Sequence, residues 1–314
     1  MTVDLVDEFA QFVRVNSIDK VVNDLDWLCG QSRHFDVSEE CGGLSSDLIR
    51  RAIEARAPLS LIRVGDGEGN ILTGSRREFP ALSVHSERAI LRMMFGCEDF
   101  SPHQVDLMRA DLEEAIIGAD ILGVSDAARL ERMRLRLAIG HANLDVRGLS
   151  GSIESVSGVR RVLEVAGKRP GALVSNLVHR YMAGRYKSLF SGLDFLGYVA
   201  PYNLDALFLA NFNVDRVEGY LIPNQASNGI GEGAKWFPAQ YAALLDQLMI
   251  PHRGAVFLVA AGFLGKSICH HIKTLGGVGI DVGSMIDVWT GRGVRKYHDA
   301  AFIAAHRLGR PTLA

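Results

Sequence analysis

Short apolar runs alternate with segments of helical periodicity over most of the chain. A buried strand is predicted at 59–64. Further strands are predicted at 121–124, 172–174, 195–199, 217–222, 255–260 and 278–282, and helices near 86–96, 103–117, 153–166, 234–249 and 264–275. Apolar strands that alternate with amphipathic helices are typical of an α/β fold. We therefore expect a Rossmann-like, mostly parallel sheet with helices on both faces.

The first 43 residues follow a different pattern. Val3, Leu5, Phe9 and Phe12 recur at roughly helical spacing, whereas residues 32–43 are polar and rich in turn formers. The sequence predicts an N-terminal helical arm and linker over 1–43 and one domain over 44–314, whose first helix is capped by Ser45 or Ser46. The arm either docks on this domain or mediates self-association into a homo-oligomer.

Composition excludes several classes of protein. The 314 residues are 48% hydrophobic and 22% charged, with a formal net charge of −2, so a folded chain is expected and nucleic acid is not an expected partner. The four cysteines form no C-x-x-C pair, and early acidic residues and short apolar runs favour a cytoplasmic protein without a signal peptide.

Four arginines form a basic strip, which is either a solvated helix face or a surface for an anionic acceptor or a membrane: Arg129, Arg132, Arg134 and Arg136.

The first core strand ends in a glycine-rich acidic segment. Ligands of open parallel sheets bind at the carboxyl ends of the strands. Asp66 and Glu68 are two residues apart and would point the same way on an extended segment, where they can share one Mg²⁺ or Mn²⁺ ion. Gly65, Gly67 and Gly69 would let a ligand approach the backbone. The alternative is a glycine-rich turn with two solvated acids.

A second glycine-rich turn follows the strand at 255–260. Residues 260–267 resemble a phosphate-binding P-loop, but Ala260 stands where that pattern requires glycine. The start of the next helix and Lys266 still favour an anion. The alternative is a tight packing turn with Lys266 in solvent.

Polar residues after other strands are further candidates. Asp281 either hydrogen-bonds a ribose or caps a turn, and Asn176 either faces a donor pocket or caps a helix. Glu232, in the glycine-rich segment 224–233, is either the catalytic base or a solvated loop acid, and Asp126 and His141 are alternative candidates for the base.

Two distant strings carry a resemblance to a known family. LIRVGDGEGNILTG resembles the opening signature of the GT-D glycosyltransferases, whose Asp-x-Glu motif is matched by Asp66-Gly67-Glu68. FLVAAGFLGKSICHHIKTLGGVGIDVGSMIDVW resembles the family's later strand, Gly-x-x-Gly-Lys turn and Ile-Asp-x-Gly-Ser segment, and AKWFP at 234–238 is a weaker third match. The resemblance extends from about residue 44 to about 295.

The resemblance implies a Rossmann-like glycosyltransferase that uses Mn²⁺ or Mg²⁺. It implies a nucleotide-diphosphate sugar donor, with a UDP-sugar favoured, and a glycan or glycoprotein acceptor in bacterial surface glycan synthesis. By this resemblance Asp66 and Glu68 would bind metal and diphosphate. They form the expected catalytic group together with Glu232, which is a candidate from its loop position and not from the resemblance. The residues expected to bind the nucleotide sugar are Arg63, Gly65, Gly67, Asn176, Gly262, Gly265, Lys266, Asp281 and Ser284. The alternatives are a P-loop-like nucleotide hydrolase or kinase and a non-catalytic nucleotide-sugar-binding subunit.

Overall fold

Eight strands form the framework of the fold. The structure is a computed structural model that describes residues 3–74, 76–138, 145–226, 235–293 and 298–309. The strands are β1 (His34–Asp36), β2 (Leu59–Arg63), β3 (Ile121–Val124), β4 (Ala172–Ser175), β5 (Leu196–Ala200), β6 (Val217–Leu221), β7 (Val256–Val259) and β8 (Val278–Asp281).

These strands make one parallel sheet in the order β1-β4-β3-β2-β8-β7-β5-β6. In register, Ile121 pairs with Ala172, Leu59 with Val278 and Val259 with Asp281. Every residue of β3, β4, β5, β7 and β8 is buried. Successive strand residues point to opposite faces, so this continuous burial means that both faces are covered. The predicted Rossmann-like α/β class is confirmed.

Helices connect the strands. Those before β5 are α1 (Val3–Val15), α2 (Ile18–Gln31), α3 (Cys41–Glu54), α4 (Asp66–Thr73), α5 (Pro80–Phe95), α6 (Pro102–Ile117), α7 (Ala127–Ala138), α8 (Val146–Ala166), α9 (Val178–Tyr181) and α10 (Tyr186–Phe190). Those after β5 are α11 (Asp205–Phe212), α12 (Ala239–Gln247), α13 (Leu264–Thr274), α14 (Met285–Trp289) and α15 (Ala300–His306). A parallel strand pair needs such crossovers, because its strands cannot be joined by a tight turn.

Three local predictions were wrong. The segment 32–43 is not only a linker, because it contains β1, which pairs with β4. Ser45 and Ser46 do not cap a helix, because α3 already begins at Cys41 and Glu40 is its N-cap. The helix predicted over 234–249 is the shorter α12, which follows Pro238.

The chain divides into two compact units, of which the first comprises Met1–Ser38 and Ile62–Asn176. In this unit α8 is the central helix, and α1, α2, α4, α5 and α6 pack against it. The predicted arm is helical in α1 and α2, and Phe12 of α1 meets Phe79 edge to face at 5.5 Å.

A buried ion-pair network supports α8. Glu154 is fully buried, and its two oxygens lie 2.7 Å from Arg76 and 2.8 Å from Arg161. Arg76 also donates to the Asn16 side chain at 2.9 Å. Because an unpaired buried carboxylate is costly, this network constrains how the arm and α8 pack.

The second unit comprises Glu39–Leu61 and Leu177–Ala314. Its α13 packs on β7 and β8, and an aromatic cluster fills the space between α10, α11 and α14. The cluster consists of Tyr186, Phe190, Phe208, Phe212 and Trp289. In the part of the chain that the structure describes, no helix has the length and apolarity needed to cross a membrane.

Candidate functional site

The carboxyl end of β2 leads directly into α4. Gly65 is the N-cap, with extended backbone angles of φ −99° and ψ −162°, and Asp66 is the first helical residue. The prediction that Asp66 and Glu68 lie on an extended segment is therefore wrong. On a helix, residues two apart are separated by about 200° around the axis, so spacing alone does not bring the two carboxylates together.

Glu68 closes the first turn of α4. Its Oε2 accepts a hydrogen bond from the Gly65 backbone N–H at 2.9 Å, and the residue is 8% exposed. A glutamate at this position satisfies a backbone donor that the helix itself leaves without a partner. Glu68 thus fixes the direction in which α4 leaves the sheet. A metal-binding role for its carboxylate stays a prediction.

Asp66 presents its carboxylate to two guanidinium groups. Arg129 Nη2 lies 3.7 Å from Oδ1, and Arg147 Nη1 lies 3.4 Å from Oδ2. The Asp66 side chain is 35% exposed. The predicted acid is therefore accessible, and the three side chains together carry one excess positive charge.

The Arg129 side chain is held in place by α8. Its Nε and Nη2 donate to Ser152 Oγ at 3.0 and 2.8 Å. Ser152 Oγ in turn donates to the Gly148 carbonyl at 2.6 Å. Since a guanidinium is planar, two bonds from one edge fix the orientation of the whole group.

Arg147 belongs to the first turn of α8. Besides Asp66, its guanidinium lies 4.0 Å from Asp145 Oδ2 and 3.7 Å from the Met93 sulfur. Asp145 is also the N-cap of α8, accepting from the Gly148 backbone at 3.0 Å. Sequence reasoning did not identify Arg147 or Ser152, because both are about 80 residues from Asp66 in a helix without a recognised motif.

Polar side chains also join the ends of β2, β3 and β4. Arg63 Nη1 donates to the Asn176 carbonyl at 3.2 Å, and Asn176 Nδ2 donates to Ser125 Oγ at 3.4 Å. Ser155 of α8 donates to the same Ser125 oxygen at 2.6 Å. Asn176 does not cap a helix, because Leu177 is the N-cap of α9. Its donor-binding role stays a prediction.

Asp126, one alternative base, has both carboxylate oxygens engaged. Oδ1 accepts from the Arg129 backbone at 2.8 Å, and Oδ2 accepts from Ser175 Oγ at 2.6 Å. The residue is only 4% exposed. Asp126 therefore anchors the start of α7 to the end of β4, which does not favour it as a base.

Gly69 serves helix packing. A Cβ at Gly69 would overlap the Gly151 carbonyl of α8, and a Cβ at Gly151 would overlap the Asp66 carbonyl. The prediction that Gly69 allows a ligand to approach the backbone is thus wrong. The close contact of α4 with α8 instead places Asp66 beside the first turns of α8.

In the second unit, Lys266 is buried rather than solvated. Its Nζ donates to the Gly262 carbonyl at 2.9 Å and lies 3.0 Å from Asp281 Oδ2. The two side chains are only 4% and 2% exposed. The alternative that placed Lys266 in solvent is wrong. An anion-binding role for Gly262, Gly265 and Lys266 stays a prediction and would require the ammonium group to leave Asp281.

Ser284 has a partner that sequence reasoning missed. Its Oγ lies 2.9 Å from Nε2 of His298, which is buried and stacks on Phe302 with ring centroids 5.1 Å apart. His298 lies 14 residues after Ser284 and outside any motif, so the sequence carried no signal for this pair. The donor-binding role of Ser284 stays a prediction.

The remaining candidates are two proposed bases and the arginine strip of α7. Glu232 and His141 lie outside the described residues. Arg132 and Arg136 are exposed on α7. Arg134 lies 2.7 Å from Asp19 and 3.2 Å from Glu131, so these three arginines resemble a solvated face, whereas Arg129 belongs to the site.

A divalent cation fits beside Asp66 only if it binds together with an anion such as a diphosphate. Within the described ranges, no group of three or more His, Cys, Asp or Glu side chains is placed to hold a metal ion. Mg²⁺ in nucleotide sites typically uses one or two carboxylates and completes its shell with water and phosphate oxygens. Asp66 supplies one such accessible carboxylate. The adjacent guanidiniums repel a bare cation but attract one that carries a diphosphate.

Comparisons with family models, curated proteins and solved structures found no match to this chain. Support for a function therefore comes from the site itself and from the resemblance of its motifs.

Proposed function

We propose that the protein is a metal-dependent glycosyltransferase that moves a sugar from a nucleotide-diphosphate donor to a glycan or glycoprotein acceptor. The observation that supports this most is the position of Asp66. It is an accessible carboxylate at the carboxyl end of a central parallel strand, in the first turn of a helix and beside two guanidiniums. In such a site the carboxylate can bind the cation of a cation–diphosphate complex, and the guanidiniums can bind its phosphates.

Asp66 would hold the divalent cation, and Glu68 would keep α4 in the orientation that presents Asp66. When bound, Mn²⁺ or Mg²⁺ would offset the negative charge that grows on the nucleoside diphosphate as the glycosidic bond breaks. The helix start contributes further positive potential at the same position. By the resemblance, the favoured donor is a UDP-sugar, and Glu232 remains the candidate base.

The burial of Lys266 favours this proposal over a P-loop hydrolase or kinase. A P-loop lysine must reach the β- and γ-phosphates of the nucleotide. Lys266 instead bonds the carbonyl of its own turn and pairs with Asp281. The non-catalytic alternative differs in one outcome, which is that the donor is bound but never consumed.

A thermal-shift screen of nucleotide-diphosphate sugars, with and without Mn²⁺, tests the proposal. We expect one class of donor to raise the melting temperature only with Mn²⁺, because ligands that prefer the folded state stabilise it. Asp66→Ala should remove the dependence of this shift on Mn²⁺. Glu131→Ala, an exposed acid on α7, is the matched control and should keep it.

Turnover then separates the enzyme from a binding subunit. The donor identified by the screen is incubated with candidate acceptors, and released nucleoside diphosphate is measured by chromatography. Release by the wild type and not by Asp66→Ala supports the enzyme. A melting shift in the Asp66→Ala protein that still depends on Mn²⁺ as in the wild type would refute the site.

A further inference from the structure

Asp66 occupies a position suited to a phosphate. Its two oxygens each face a different guanidinium, Arg129 from α7 and Arg147 from α8. A phosphoryl group offers the same arrangement of oxygens, with more negative charge. We propose that Arg129 and Arg147 form a diphosphate clamp and that Asp66 fills this clamp as an internal anion until a cation-bound diphosphate arrives. This inference deepens the proposed function and rests on it.

The lengths of the two contacts suit an exchange. Charge-assisted N–H···O bonds are typically about 2.7–2.9 Å long, whereas the contacts to Asp66 are 3.4 and 3.7 Å. Asp66 therefore offsets part of the guanidinium charge without making the short bonds that a phosphate oxygen would make. The three side chains are also between 28% and 35% exposed, so a ligand from solvent can reach them.

The supports of the clamp do not depend on Asp66. Ser152 fixes the edge of Arg129 through two hydrogen bonds, and Arg147 keeps its contacts with Asp145 and Met93. Loss of the Asp66 contacts thus leaves both guanidiniums in place. When the cation binds to Asp66, the guanidiniums transfer to the phosphate oxygens, and no charge in the site is left unpaired.

This exchange couples the two ligands. A bare cation has to compete with two arginines for Asp66, and a bare diphosphate has to compete with Asp66 for the arginines. Bound together, cation and diphosphate satisfy both sets of charges. We therefore expect Mn²⁺ and inorganic pyrophosphate each to bind weakly alone and to bind at least tenfold more tightly in each other's presence, a coupling of about 1.4 kcal/mol or more.

The test is calorimetric titration of the full chain with inorganic pyrophosphate, in EDTA or in Mn²⁺. The informative variant is Asp66→Asn, which empties the clamp of its internal charge. In EDTA it should bind pyrophosphate at least tenfold more tightly than the wild type, and Mn²⁺ should add little. A site in which phosphate is held only through the metal predicts the opposite, namely loss of binding.

Arginine variants identify the groups that bind the phosphate. Arg129→Gln and Arg147→Gln should each weaken pyrophosphate binding at least tenfold, both in the wild type with Mn²⁺ and in Asp66→Asn with EDTA. Arg132→Gln, exposed on the same helix, is the matched control and should bind as its parent does. Circular dichroism and melting curves identify any variant that is unfolded, and Arg129→Lys then replaces Arg129→Gln.

Two results would overturn the clamp. One is Asp66→Asn binding pyrophosphate in EDTA no more tightly than the wild type does. The other is undiminished binding in the arginine variants. Failure of the glycosyltransferase proposal is distinguishable, because the pyrophosphate results would then hold while no nucleotide sugar is consumed.

Discussion

The Lys266–Asp281 pair allows a quantitative test of the second unit. The ammonium and carboxylate are 3.0 Å apart, and both side chains are at most 4% exposed. In Lys266→Met, Asp281 would keep a buried charge without this partner. Removal of one member of a buried pair typically costs about 3–5 kcal/mol, so we expect a loss of that size in the free energy of unfolding.

Urea denaturation followed by tryptophan fluorescence measures this loss. Trp236 and Trp289 belong to the second unit and Trp27 to the first, so a Trp27→Phe background reports on the second unit alone. With a denaturant dependence of about 2 kcal/mol per molar urea, the midpoint should fall by about 1.5–2.5 M. Lys187→Met, an exposed lysine of the same unit, should leave the midpoint unchanged.

A double variant separates charge from packing. Adding Asp281→Asn to Lys266→Met removes the buried charge that Lys266 had faced, so we expect it to recover at least about 1 kcal/mol. If Lys266→Met stays within about 0.5 kcal/mol of the wild type, the range of ordinary surface substitutions, the pair is not structural. Lys266 would then be available to an anion, and the P-loop interpretation would regain support.

Three further predictions follow from buried groups. Burial, together with the hydrogen bond that Tyr198 donates to Asp205, raises the pKa of Tyr198 from 10.0 to about 12. Its stabilisation is therefore complete well below pH 10 and is lost as the pH rises through 12, so relative to Tyr198→Phe the wild type should lose about 2 kcal/mol between urea titrations at pH 10 and pH 12. Glu154→Gln leaves Arg76 and Arg161 without their buried carboxylate and should cost about 3–5 kcal/mol in thermal or urea unfolding; an unchanged midpoint would contradict the network. Ser152→Ala removes the anchor of Arg129 and should weaken Mn²⁺–pyrophosphate binding by roughly two- to tenfold in calorimetry without unfolding the chain, whereas unchanged affinity would mean that Arg129 needs no anchor.

Most strands of the fold could be predicted because they are short apolar runs, whereas the exposed β1 lies in a polar segment and was missed. The runs at β3, β7 and β8 are short, mostly apolar and buried at every position, as expected for strands covered on both faces. The closing β7–α13–β8 unit is the clearest case. Its strand and helix limits were placed within a few residues.

The helix α4 was not predicted at the acidic segment, because the glycines there disfavour a helix. Asp66-Gly67-Glu68-Gly69 has poor helix propensity and is typical of a turn. In the structure, the Glu68 bond to Gly65 and the contact of Gly69 with Gly151 stabilise α4 at this position. The second contact joins residues more than 80 positions apart, which periodicity cannot reveal.

The arginines that face Asp66 could not be predicted from the sequence for a similar reason. Arg129 was noticed only as part of a basic strip, and Arg147 and Ser152 had no local signature. Their proximity to Asp66 depends on how α7 and α8 pack around the ends of β2 and β3. The ion pair between Lys266 and Asp281 was not predicted, because Asp281 lies at the end of a neighbouring strand.

The central claim is that Asp66 binds a divalent cation together with a diphosphate. A crystal structure of the protein with Mn²⁺ and UDP, with an anomalous difference map to locate manganese, tests it most directly. We predict a manganese peak about 2.0–2.6 Å from an Asp66 carboxylate oxygen, with the diphosphate as a second ligand of the ion. UDP bound with no manganese at Asp66, or manganese bound elsewhere, would contradict the claim.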